Sequence, residues 1–241
     1  MIPTPLRLAA RALVVVLLAA AGVAAAAPAS AGVPSDQLRS QVDRVLKILE
    51  DPDMLKDSRA AERRLAIRKV ANDIFDFEEI SRRTLARHWA SRTPAEQQEF
   101  VGLMGTLLED AYISKIETYS GEKIQYLGDS AEGDLATVRT KIVTKQGTEI
   151  PVDYRMIGRG NRWLAYDVYV EGVSLVGNYR TQFDRFIQKQ SYPELVKTLK
   201  AKQTERKDKD VVETRRKERL AEATSPKTPT AAPRTERPQS P

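Results

Sequence analysis

The sequence predicts an α+β fold, with helices packed against one face of a four-stranded antiparallel sheet. Three observations predict it. Apolar residues recur at helical spacing up to about residue 120, alternate with polar ones from Ile124 to Val170, and return to helical spacing after Gly172.

From Pro34 to about Glu50, Leu38, Val42, Val45, Leu46 and Leu49 share one helical face. A second amphipathic stretch runs from about Asp57 to Ile74. Asp73 or Asp76 can cap the next helix, which carries Ile80, Leu85 and Trp89. Thr93-Pro94-Ala95-Glu96 is a capping box with proline at the first helical position. The helix that follows puts Phe100, Leu103, Met104, Leu107, Leu108 and Ala111 on one side. It should run to about Tyr119, where Gly121 can stop it.

Strands follow. Ile124–Tyr126 opens the first; Val138, Thr140 and Ile142 alternate with Arg139 and Lys141 in the second. Ile150, Val152, Tyr154 and Met156 alternate with Pro151, Asp153 and Arg155 in the third, and Trp163 to Val170 forms the fourth. Gln146-Gly147 and Gly158-Arg159-Gly160-Asn161 are the turns. Such a meander has one apolar face. After Gly172, Leu175, Val176, Tyr179, Phe183, Phe186 and Ile187 form a helical stripe, and Pro193 opens a last short helix with Leu195 and Leu199.

The two ends differ from this core. Arg7 and Arg11 precede the apolar run Leu13–Ala27, and Ala29-Ser30-Ala31 or Ala25-Ala26-Ala27 suits cleavage. Residues 1–31 therefore read as a signal peptide rather than a retained anchor, which places the mature chain outside the cytoplasm. From Lys200 onward the chain carries 12 Lys+Arg and 7 Asp+Glu, so the net +6 belongs mostly to the ends and the core sums to −1. A neutral core argues against a nucleic-acid-binding domain. Residues 204–241, charged and then rich in Pro and Thr, are expected to be a disordered tail. The chain has no cysteine, which excludes disulfides, a thiol nucleophile and thiolate metal sites.

Chemistry is hard to build. His88 is the only histidine, and no Ser-His-Asp set, metal motif or phosphate loop accompanies it. Asp76, Glu78 and Glu79 suit a helix N-terminus better than acid–base work. Asp167, in a strand among apolar neighbours, suits an anchor for backbone groups. The apolar sheet face is the remaining feature: Val138, Thr140, Ile142, Ile150, Val152, Tyr154 and Met156, extended by Tyr166, Val168, Val173 and Leu175. From the residues alone this face is equally a closed core or the wall of a pocket.

One stretch carries a more specific signal: Trp163-Leu-Ala-Tyr-Asp167-Val-Tyr-Val-Glu171-Gly172-Val-Ser174-Leu-Val-Gly-Asn178-Tyr179-Arg180-Thr-Gln182-Phe183. It resembles the signature of the MlaC, or toluene-tolerance (Ttg2-type), family of periplasmic phospholipid-binding proteins. Phe75-Asp76-Phe77-Glu78-Glu79-Ile80 with Leu85 and Trp89, and Thr93-Pro94-Ala95-Glu96 with Phe100, resemble two upstream blocks in the same order. The resemblance spans roughly residues 35–200.

The resemblance implies an NTF2-like layering of helices on a curved sheet with a deep apolar cavity between them, in a lipid-binding domain over residues 34–203. It implies a phospholipid cargo with its head group near the mouth, no cofactor, no metal and no catalytic residue. The expected partners are an outer-membrane lipoprotein (MlaA-like) and an inner-membrane ABC lipid transporter with an MlaD-like component, acting in outer-membrane lipid asymmetry. Two other functions compete: a lipid-free adaptor that recruits a partner through the charged tail, and a hydrolase using Asp167.

Overall fold

The computed structural model describes residues 33–224, leaving side chains undescribed at several positions beyond Arg206. The expected signal peptide at 1–31 and the Pro/Thr-rich end at 225–241 lie outside the described residues. The chain divides into two compact units after Lys200.

Four helices come first: α1 (Val33–Glu50), α2 (Ala60–Ile74), α3 (Phe77–Leu85) and α4 (Pro94–Ile116), with short 3-10 turns at Asp57–Arg59 and Ala86–His88. Asp76, not Asp73, caps α3, its carboxylate accepting from the Glu79 N–H at 2.9 Å. Both halves of the Thr93/Glu96 capping box are made at α4. α4 ends three residues before the expected Tyr119, and looser turns carry the chain on to Gly121 at φ 100°.

The strands are β1 (Lys123–Glu132), β2 (Leu135–Val143), β3 (Glu149–Arg159), β4 (Arg162–Val170) and β5 (Val173–Ser174), an antiparallel sheet in sequence order. The four-stranded meander is thus joined by a fifth strand, only two residues long. It forms because the turn at Glu171-Gly172 folds the chain back on β4 just before the next helix. Two bulges bend the sheet. One follows Tyr126 in β1, where Gly128 takes φ 111°; the other leaves Tyr166 of β4 without a cross-strand partner between Arg155 and Met156.

α5 (Leu175–Lys189) and α6 (Tyr192–Thr224) close the order. α6 is a long helix where a short one was expected. Its distal half interleaves Lys, Arg and Glu, all strong helix formers with opposite charges three and four residues apart, which favours a continued helix.

The apolar interior has two parts. One lies between the sheet and α1, α2 and the end of α4, and includes Leu38, Val42, Leu46, Ile67, Val70, Ile74, Ile113 and Ile116. The other lies among α3, α4, α5 and the start of α6. Phe100 sits edge-on to Phe183 there at 5.8 Å between ring centroids.

The Asp167 carboxylate joins the two parts. It accepts from the Val168 and Val176 N–H groups at 2.8 and 3.0 Å and from the Ser174 hydroxyl at 2.6 Å, fixing β4, β5 and the start of α5. This is the anchoring role that its burial among apolar neighbours suggests. Asp167→Ala should therefore cost about 1–3 kcal/mol, because it strands buried backbone donors. Urea unfolding would measure this, and hydrogen exchange at the start of α5 should speed up.

Candidate functional site

Alternation on β2 and β3 turns Val138, Thr140, Ile142, Ile150, Val152, Tyr154 and Met156 to the helix-covered face, and Val168 joins them from β4. All eight are buried. The other three expected residues are not brought to this face. Tyr166 stands at the bulge, which breaks the alternation, and the Arg83 guanidinium covers its ring at 4.0 Å. Val173, on the two-residue β5, is 53% exposed. Leu175 opens α5 and packs on the helical cluster instead.

The face also holds residues the expected set lacks: Ile124, Tyr126, Ala136, Trp163, Ala165 and Val170. Their alternation was visible in β1, and in β4 once the bulge is known. Two phenols sit among these apolar groups. Burial pushes both Tyr126 and Tyr154 well above the usual tyrosine range. The Tyr126 hydroxyl is buried and makes no hydrogen bond among the described residues, while Arg39 of α1 stacks over its ring at 4.3 Å.

Among the described residues, the buried strand side chains of this face lie 0–9% exposed against the helices, with no deep hollow between. A cleft of about 130 Å³ opens at one end of the face, lined by Gln37, Leu38, Gln41, Asp73, Ile74, Met156, Arg162 and Trp163. Pockets that enclose small organic ligands hold roughly 300–1,000 Å³. Between its two sequence-level alternatives, the face is closed here over most of its area.

Polar groups frame the domain. Asp76 caps α3 and also pairs with Arg159 at 2.9 Å. Glu79, 4% exposed, binds Arg82 and Arg83 at 2.5 and 2.6 Å. Glu117 at the end of α4 receives Arg63 and Arg64 of α2. His88 contacts Asp184 of α5 at 2.9 Å. Asp76 ties α3 to β3, Glu79 braces α3 along its own length, and Glu117 and Asp184 link neighbouring helical segments. Among the described residues, no cluster of His, Asp or Glu is placed to hold a metal ion, and no helix is long and apolar enough to cross a membrane.

The family model described as MlaC protein matches residues 39–201. The chain belongs to the MlaC family. It is 24% identical over 158 residues to the intermembrane phospholipid transport system binding protein MlaC of Haemophilus influenzae, a match covering 62% of this chain and 69% of that protein. Its fold is similar to that of the phospholipid-binding protein from Ralstonia solanacearum, solved in complex with a phospholipid. The TM-score is 0.63 at 24% identity, over 70% of this chain and 96% of the other.

Within this MlaC-family domain, the Glu79 cluster is the most concentrated electrostatic support. Burial pushes the Glu79 carboxyl up, but hydrogen bonds from Arg82 and Arg83 outweigh it, and the net shift is below the ordinary 4.5. A carboxyl lowered in the folded state stabilises the fold above its ordinary value and ceases to do so as pH falls through the lowered one. Glu79→Gln should therefore melt at a lower temperature at pH 7. Its melting temperature should also fall less than the wild type's on acidification below about pH 4.5. Calorimetry across this range checks both.

Proposed function

We propose that this chain is a non-enzymatic carrier that moves glycerophospholipid between the outer and inner membranes across the periplasm. The carrying domain is residues 34–203, delivered by a cleaved signal peptide at 1–31. An inner-membrane ABC transporter with an MlaD-like component and an outer-membrane MlaA-like lipoprotein are its partners. Membership of the MlaC family supports this, as do the phospholipid bound to the Ralstonia solanacearum protein and the intermembrane transport role named for the Haemophilus influenzae one.

The observation that carries the reading is the inner sheet face itself. It is continuously apolar, and α1 covers it mainly through aliphatic side chains, with polar ties at the rim from Gln37 and Arg39. Aliphatic contact has no direction, so an acyl chain can replace a helix side chain on the same strand residues with little net change. The volume of two acyl chains far exceeds the cleft, so loading requires α1 and α2 to move off the sheet. Val138, Thr140, Ile142, Ile150, Val152, Tyr154, Met156 and Val168 then line the cargo.

Burial stabilises a lipid by roughly 0.8 kcal/mol per methylene, on the order of 20 kcal/mol for two chains against water. Loss of cargo into water is negligible on that scale. Movement from bilayer to protein exchanges one apolar surrounding for another and needs no reaction.

Organic extraction and mass spectrometry of the purified full chain should yield phospholipid in stoichiometric amount. Well-folded protein that stays free of lipid after incubation with vesicles would favour the adaptor. Tyr126→Phe separates a permanent core from a loading face. Removing an unpartnered hydroxyl from a permanent core should raise stability by about 1–3 kcal/mol and leave lipid untouched. On a loading face, the hydroxyl donates to an ester carbonyl of the cargo, and the variant should retain less phospholipid.

A further inference from the structure

The cleft beside Trp163 has a particular chemical layout. Its floor is Leu38, Ile74 and Met156, all buried and all part of the same apolar cluster as the inner sheet face. Its rim carries charge. Asp73 of α2 and Arg162 at the start of β4 line it, 3.5 Å apart, and Asp73 also accepts at 2.8 Å from Arg44 of α1, which stands behind the lining. The two guanidinium side chains are 42% and 51% exposed, and together with Asp73 they leave one unbalanced positive charge. Gln37 clamps the opposite rim. Its amide donates to the Asn161 carbonyl at 3.0 Å and accepts from the Trp163 N–H at 2.8 Å. Three elements that must part for cargo to reach the sheet, α1, α2 and the β3–β4 hairpin, therefore meet at this cleft.

A cationic rim over an apolar floor fits an amphiphile that carries an anion at its polar end. We infer that the cleft is the lipid portal and that Arg44 and Arg162 hold the phosphodiester of the phospholipid there, exchanging Asp73 for the phosphate. This rests on the carrier reading and adds the place and chemistry of entry. Arginine suits the task, because its planar donor fork pairs with phosphate oxygens and stays charged at any physiological pH. The exchange also removes the side-chain tie that Asp73 makes to both α1 and β4, leaving α2 held to the hairpin by the main-chain contacts that follow it. Head-group capture and loosening of the rim become one event.

The test compares the full chain with Arg44→Gln/Arg162→Gln and with Asp73→Asn. Each is incubated with vesicles of phosphatidylglycerol in phosphatidylcholine, with dispersed diacylglycerol, and with inorganic phosphate alone; bound lipid is read by native mass spectrometry. Exposed ion pairs contribute little to stability, so all three proteins should melt within a few degrees of one another. The double variant should take up phospholipid roughly tenfold less well, equivalent to about 1.4 kcal/mol, with diacylglycerol uptake unchanged. Asp73→Asn should load phospholipid better than wild type, because it releases both guanidiniums, whereas a merely structural Asp73 would lower loading and melting together.

Equal phospholipid loading by the double variant overturns the portal and leaves the carrier standing. So does an equal fall for phospholipid and diacylglycerol. Inorganic phosphate that the wild type retains as firmly as phospholipid, and the double variant loses, makes the cleft a free-anion site and overturns the lipid assignment. A wild-type chain that takes no lipid from any vesicle overturns the carrier reading itself.

Discussion

The fold depends on one contact: the apolar face of a bent sheet against the aliphatic side of α1 and α2. Strands β1 to β4 contribute alternate residues to it, with a break at each bulge, and Leu38, Val42, Leu46, Ile67, Val70 and Ile74 complete it from the helices. The attraction is a matter of area removed from water and has no preferred partner. It holds equally well between side chain and side chain or between side chain and acyl chain. A core built this way needs a separate device to fix geometry, and the domain places that device elsewhere.

Directional bonds gather around α3, α5 and the β3–β4 hairpin, with a second set where Arg63, Arg64 and Arg68 of α2 reach Glu117 and Glu109 at α4. Asp76 joins α3 to Arg159, the Asp76 N–H donates to the Ala165 carbonyl of β4 at 3.0 Å, and Asp167 secures β4, β5 and α5. Glu79 with Arg82 and Arg83 stiffens α3, and the Phe100–Phe183–Tyr179 aromatic group fills the space between helices. Charged and geometrically specified contacts are costly to break once buried. The result is a frame of α3, α4, α5 and the β3–β4 hairpin, with α1 laid across the greasy side of the sheet and α2 beside it, tied to α4 at Glu117 and Glu109. Asp76 and Glu79, which the sequence assigns to a helix N-terminus rather than to acid–base work, are fasteners of that frame.

Most of this was legible in the residues, and the failures have specific causes. Period-two alternation in β2 and β3 identified the buried face residue by residue, and the Thr93–Glu96 box marked the start of α4. Tyr166 was misplaced because a bulge shifts the alternation, and nothing local to β4 announces an unpaired residue whose position is set by β3. Val173 and Leu175 were misplaced because a reversal at Glu171-Gly172 separates them from the strand they seemed to extend. The cleft was invisible for a different reason. Gln37, Arg44, Asp73 and Arg162 lie on three elements far apart in sequence, and each alone is an ordinary surface polar residue. Only the packing of α1 and α2 against the hairpin makes them a set.

If the chain is the carrier proposed above, the division between frame and cover bears on how transport obtains direction. A lipid passing from bilayer to protein keeps its apolar surroundings, so the transfer itself is close to balanced. What distinguishes one membrane from the other must act on the cover. The polar ties that hold α1 and α2 at the cleft are half-exposed ion pairs of small net worth. A docking surface that competes for Arg44, Asp73 or Arg162 would need to supply only a modest free energy to loosen them, well below that of pulling acyl chains into water. Weak charged contacts at the rim and strong undirected contacts inside make opening a matter for the partner and retention a matter for the cargo. Neither requires the domain to perform chemistry.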